Sequence, residues 1–294
     1  VDASTATMTV NSGGYILQAD STVPDDQSHE VLAASTLVLS SVTGSTLSWV
    51  QAGTLSAQNT GTEGDIAITV VNTVSNAVTV SRLTQTNAAN TAGKIALSST
   101  LSNIVVGASG TGVTLLGHGA ISISAGQDLT VANTLKNFGS ESTDSISLTA
   151  GRDVVVNYLI EGAGMGAISL TATSGKVDLN QNIISAGGVV TLTAGTDIDM
   201  DVAAKVATST TRTGEDGSVV MTAGRDILLS LIQTDGQVNL TSTGQIKNQL
   251  TTGLNVDAAN SRLYLTAGAG VGTATTVSGV TTVKAIQTQV ASMS

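Results

Sequence analysis

Hydrophobic and polar residues alternate along this chain in short bursts, and the bursts recur. One reads Ala120-Ile121-Ser122-Ile123-Ser124-Ala125-Gly126-Gln127-Asp128-Leu129, and it returns as Ser145-Ile146-Ser147-Leu148-Thr149-Ala150-Gly151-Arg152-Asp153-Val154. Further copies begin at Ile168, Val190, Val219, Val238 and Leu263, with weaker ones around Met8, Leu37, Ile66 and Ile95. Within each copy the period is two, the signature of a strand with one buried face. Ile146, Leu148 and Ala150 point one way, and Ser147 and Thr149 the other. A glycine then turns the chain, and a second short apolar alternation begins at Val154.

Taking the second inward residue as a marker gives Val10, Leu39, Ile68, Leu97, Ile123, Leu148, Leu170, Leu192, Met221, Leu240 and Leu265. The markers are 19 to 29 residues apart, which is the spacing of a solenoid repeat. The pattern predicts an all-β, parallel β-solenoid of about eleven coils, forming one domain over residues 1–294. At about 4.8 Å per coil the stack would span roughly 50 Å. Loop insertions are expected near 20–30, 54–64, 136–143 and 203–215, where they would lengthen the longer steps. Immunoglobulin-like sandwiches, the other all-β arrangement, want buried aromatics and a far longer repeat.

Composition sharpens this picture. The chain has 32 glycines in 294 residues, one proline and no cysteine. Its only aromatics are Tyr15, Trp49, Phe138, Tyr158 and Tyr264. A narrow lumen filled with stacked aliphatics accounts for the scarcity of rings. Outward Ser and Thr suit a sheet surface. With 11 Lys and Arg against 21 Asp and Glu, the formal charge is −10, which leaves no basic footprint for nucleic acid and repels an anionic membrane. No apolar run reaches the length of a membrane span. The chain opens at Val1, as a processed product or a piece of something longer would.

The recurring Leu/Ile/Met-Thr/Ser-Ala-Gly-X-Asp-Ile/Leu/Val at 123–129, 148–154, 192–198 and 221–227 resembles the repeats of filamentous-haemagglutinin-like bacterial adhesins. The resemblance is clearest over 93–272 and weaker over 1–92. It implies a right-handed parallel β-helix in a secreted or surface-exposed protein. Members exported by a two-partner route carry Asn-Pro motifs in an N-terminal secretion domain, and this chain has none.

Candidate chemistry is sparse. His29 and His118 are the only histidines, and His118, in Gly117-His118-Gly119, reads as a solvent-facing turn residue. There is no Gly-X-Ser-X-Gly elbow. The glycine runs at 162–166 and 268–272 lack the strand-turn-helix setting of a nucleotide site. Polysaccharide-acting enzymes do occur on parallel β-helices, but they gather carboxylates, basic residues and rings on one face, and here these are scattered. Aligning Gly175–Asn180 with Thr196–Asp201 stacks Asp178 on Asp199 and Asn180 on Asp201, with Lys176 meeting Asp197. The like-charge pair is destabilising, and a hard cation such as calcium held by Asp178, Asn180, Asp199 and Asp201 would relieve it. The recurrent turn aspartates Asp128, Asp153, Asp197 and Asp226 are expected to bond backbone amides in an Asx role. The outward Ser/Thr stripe is too interrupted for the regular Thr array of an ice-binding face.

The reading that results is an extracellular structural or adhesive rod at a bacterial surface, without catalysis or a required cofactor. A carbohydrate-active enzyme is the first alternative and a calcium-dependent or ice-binding module the second. Open coil ends expose strand edges. The expected partners are therefore further coils of the same polypeptide, or other copies, stacked end to end. Host or neighbour-cell glycans or proteins would be contacted through the loops.

Overall fold

A computed structural model describes residues 2–18, 31–73, 75–107, 115–208, 217–278 and 280–294. Among them every regular element is a β-strand, and nearly all join one sheet that winds around a common core. The expected parallel β-solenoid is the observed fold.

The markers from Ile68 onward form a single hydrogen-bonded column. Ile68 pairs with Leu97, Leu97 with Ile123, Ile123 with Leu148, Leu148 with Leu170 and Leu170 with Leu192. The column continues through Met221 and Leu240 to Leu265. These nine rungs make a first face of strands, mostly five residues long, from Ile66–Val70 to the end of Val256–Ala267. About nine turns are therefore regular, close to the eleven expected.

A second face carries short strands such as Ile104–Val106, Leu129–Val131, Val154–Val156 and Val177–Leu179. A third carries Leu115–Gly117, Leu135–Asn137, Ile160–Gly162 and Ile183–Ser185. Each strand on these faces pairs in parallel with its counterpart one coil away. Three short strands per coil keep the lumen narrow. Ile lies on Ile, Leu on Leu and Ala on Ala where Ile146–Ala150 meets Ile168–Ala172. Burial follows the pleat: in both strands the first, third and fifth residues are buried and the intervening Ser and Thr half-buried.

The first coils depart from the sequence reading. Val10 does pair with Leu39, but Leu39 pairs with Ala57, and the partner of Ile68 is Leu47. The first two markers therefore lie in a different column from the other nine. The cause is long strands, Leu32–Ser41 and Ser45–Asn59, which bend through more than one face without ending at the corner. Alternation alone cannot say which bend is which. The insertion expected at 54–64 is corrected by the same observation, since residues 54–59 are strand. Of the stretch 136–143, Lys136 and Asn137 are strand and the rest is turn. In 203–215 the residues Lys205–Thr208 are strand, while 209–215 lie outside the described residues, as do 20–30 and His29. Near the C-terminus, Thr273–Val277 and Val280–Lys284 form an antiparallel hairpin. Thr288–Met293 then returns to the parallel stack beside Val256–Ala267.

The core contains an ordered polar step. Where the third face turns into the first, Asn59, Gln85, Asn137, Ser185, Thr208 and Thr234 are buried. They hold turn carbonyls of their own and the preceding coil: Asn137 Nδ2 donates to Gly119 O of the coil before at 2.9 Å and to Asp144 O at 2.8 Å, and Ser185 Oγ donates to Gly188 O at 2.9 Å. Buried backbone acceptors need such partners because the chain leaves the ladder there.

Candidate functional site

Two corners of the solenoid concentrate the chemistry-bearing residues. The first lies between the first and second faces, where Asn103, Asp128, Asp153, Lys176, Asp197 and Asp226 each precede a second-face strand and Gln245 opens one. Asn103 Oδ1 accepts the Asp128 amide at 3.0 Å, Asp128 Oδ1 the Asp153 amide at 3.2 Å, and Asp153 Oδ1 the Lys176 amide at 2.8 Å. Beyond Lys176, Asp197 Oδ1 accepts the Asp226 amide at 3.0 Å and Asp226 Oδ1 the Gln245 amide at 2.7 Å. The expected Asx role thus takes an inter-coil form: each carboxylate caps the next coil's corner.

Cations neutralise this column. Arg152 grips Asp128 through both Nε and a terminal nitrogen, and Arg225 grips Asp197 in the same way. Lys247 Nζ lies 2.5 Å from Asp226 Oδ2. The Arg152 hydrogen bond holds the Asp128 carboxyl below its usual range, and Arg225 does the same for Asp197. Asp226 is lowered chiefly by the Gln245 amide and then by Lys247.

The four residues singled out as cation ligands stand beside this column. Asp178 does pair with Asp199, as the alignment predicted. The charge that meets them is Lys176, whose Nζ is 2.7 Å from Asp178 Oδ2. The Lys176 ammonium is raised above its ordinary value first by that hydrogen bond, with Asp199 and Asp153 adding at longer range. Its expected pairing with Asp197 is corrected, because Arg225 takes that carboxylate. Asp199 Oδ1 accepts from Gln249 Nε2 at 3.1 Å, and Asn180 donates to Asn157 Oδ1 at 2.9 Å. Asp201 Oδ1 accepts the Ala203 amide at 2.9 Å. Among the described residues, no three His, Asp or Glu side chains gather as a metal site would require.

The second corner, between the third and first faces, carries a cleft of about 760 Å3. Its shape follows from turn lengths. The turn between Val78–Gln85 and Ile95–Ser99 has nine residues. The next, between Leu115–Gly117 and Ile121–Ala125, has three, and the one after, between Leu135–Asn137 and Ile146–Ala150, has eight. A short turn between two long ones leaves a trough. His118, Gly119 and Ala120 form its floor, with Ala88, Thr91, Ala92 and Lys94 on one wall and 138–141, Thr143 and Asp144 on the other.

Register supplies the trough's one aromatic feature. Gly117 pairs with Asn137, and the Phe138 amide donates to Gly117 O at 2.8 Å. His118 and Phe138 are therefore consecutive rungs of one column, with ring centroids 5.8 Å apart and planes tilted by 30°. Phe138 is 47% exposed. Asp144 is buried, and its Oδ2 accepts the Glu141 amide at 2.8 Å, which fixes the far wall. Gly139 must lack a side chain, since a Cβ there would collide with Asp144 Oδ2 and His118 O. The sequence showed His118 as an isolated turn residue; the signal that could have found the cleft is the long-short-long run of turns around the chain's single phenylalanine.

Compared with family models, curated proteins and solved structures, the chain matches none.

Proposed function

We propose that this chain is a rigid rod segment serving a structural or adhesive role at a bacterial surface, outside the cell and without catalysis. The observation that carries this reading is the unbroken register of nine first-face rungs, sealed by an aliphatic core and, over much of its length, by the capped aspartate corner. Coils that contact chiefly their neighbours add length and stiffness one at a time. Residues spent on stacking leave few for chemistry, and turns such as 86–94 and 138–145 stand out where a partner can reach them. The low-charge, cysteine-free composition and the motif resemblance to adhesin repeats agree with export. Among the described residues, Asp2–Asn11 and Thr288–Met293 are each paired on one side only. Further coils or another copy would continue the stack there.

Electron microscopy of the purified chain tests the rod. Straight particles about as wide as one solenoid, lengthening by end-to-end addition, are the expected result. Compact particles of fixed size that never associate, or turnover of a polysaccharide substrate, would overturn it.

A further inference from the structure

We infer that the trough at His118 and Phe138 is a saccharide-binding site, selective for neutral or amino sugars over anionic ones. This deepens the adhesive reading and rests on it. The argument starts from what a pyranose offers: a ring face of C–H groups, and hydroxyls around its rim. The ring face is best desolvated by an aromatic surface, and the hydroxyls need donors and acceptors that stay fixed.

The trough supplies both. His118 and Phe138 put two rings on consecutive rungs in the lining of the cleft, where register holds them in place. Phe138 is the chain's only phenylalanine, and it is half exposed where the column lies beside the cleft. The flanking rungs of the column are small, Thr86 on one side and Ala163 on the other, so the ring pair is a local feature. Ser140, Glu141, Thr143 and Lys94 line the walls as hydrogen-bonding groups. Glu141 sits on a turn braced by Asp144, so its backbone need not be ordered on binding. The volume is that of a small-ligand site.

Charge decides the class of sugar. Lys94 is the only Lys or Arg in the lining, and Glu141 and Asp144 oppose it, so a sulfated or uronic chain would be repelled. An extended peptide is disfavoured as well. Leu115–Gly117 and Leu135–Asn137 are paired on both sides, leaving no sheet edge in the trough for strand addition.

The test is NMR titration of the full chain with chitotriose, cellotriose, chitosan trisaccharide and, as the anionic control, a heparin tetrasaccharide. At least one of the first three should shift the His118 and Phe138 ring resonances, and the heparin fragment should not. Phe138→Ala should weaken that binding at least about tenfold, while Phe138→Tyr stays within about threefold. Phe138 is half exposed, so melting of both variants should match the parent; Glu141→Gln is a second probe that leaves the rings intact and should weaken binding of the cationic trisaccharide most. No shift with any neutral or amino trisaccharide up to about 10 mM, or equal binding by Phe138→Ala, would overturn the site. Rods without saccharide binding would remove this inference and leave the rod reading standing. Saccharide binding by a chain that forms no rods would do the reverse.

Discussion

The turns between Ile121 and Met200 and the coils before Val70 use the same residue types but reach their register differently. In the middle turns the first-face strands are five residues long and pair one to one without a slip. In the early coils three strands run 10 to 15 residues, and the register shifts between Ala3 and Thr7, between Leu47 and Val50 and between Leu55 and Ser56. The corner between the first and second faces differs. At Gly126, Gly151 and Gly195 the coils approach so closely that a Cβ would collide with the backbone of the coil before. That contact fixes where each strand ends. The early strands run on through that bend, with Gly53 inside Ser45–Asn59 under looser contact, and adjust by bulges instead.

The largest test of this contrast is a core truncation. Leu170 is fully buried between Leu148 and Leu192, with stacked neighbours on both sides that cannot collapse into a void. Leu170→Ala should cost about 2–5 kcal/mol in chemical denaturation. Leu17→Ala, on the early two-residue strand Ile16–Leu17 and 65% exposed, should change stability by less than about 0.5 kcal/mol. Equal losses would mean that the early and middle coils unfold as one unit set by something other than local packing.

Legibility in the sequence follows the same division. The column from Ile68 to Leu265 could be read from the chain because each rung presents an apolar residue within a period-two strand, and from Ile123 onward a Gly follows it three to five residues later. The Asp178–Asp199 rung could be read for the same reason. Alignment alone puts Lys176 on the wrong carboxylate, because ion pairing depends on side-chain reach as well. Lys176 and Asp178 lie two residues apart on one side of a strand, whereas Asp197 is met from the following coil by Arg225. The cleft was invisible because neither His118 nor Phe138 is unusual alone; only register brings their turns together.

The glycine corner itself is the next test. Gly224→Ala places a methyl group against the Gly195 carbonyl of the preceding coil, where the nearest atoms are all backbone and no flexible side chain can yield. A loss of about 1–3 kcal/mol is expected. Gly13→Ala, in the early coils, meets nothing within 4 Å and should be nearly neutral. A neutral Gly224→Ala would show that coil spacing is not set at these corners.

A smaller effect is expected at the capped corner. Asp226→Ala orphans the Gln245 amide and releases Lys247, and a loss of about 1–2 kcal/mol should appear in the same denaturation assay. Asp226→Asn keeps the oxygen acceptor and should recover most of that loss, because the backbone cap, more than the partly exposed ion pair, carries the stability.

The smallest effect is a dependence on acid, and it is specific to the regular turns. Asp128, Asp197 and Asp226 titrate below the ordinary aspartate value in the folded chain, and all three sit in the capped column. A depressed folded value means that the native state binds protons more weakly than the unfolded chain does. The stabilisation is therefore complete well above the ordinary value of about 3.9 and is lost as pH falls through the lower folded values. The denaturation midpoint should stay level from about pH 7 to 5 and then decline toward pH 2. Asp197→Asn retains an acceptor for the Asp226 amide but has no charge to lose, so its midpoint should start lower at neutral pH and decline less steeply in acid. High salt should narrow the gap between parent and variant at neutral pH, since Arg225 meets Asp197 at the surface where ions screen the pair. Parallel acid limbs for parent and variant would remove Asp197 and its arginine as a source of the pH dependence and leave it to Asp128 and Asp226.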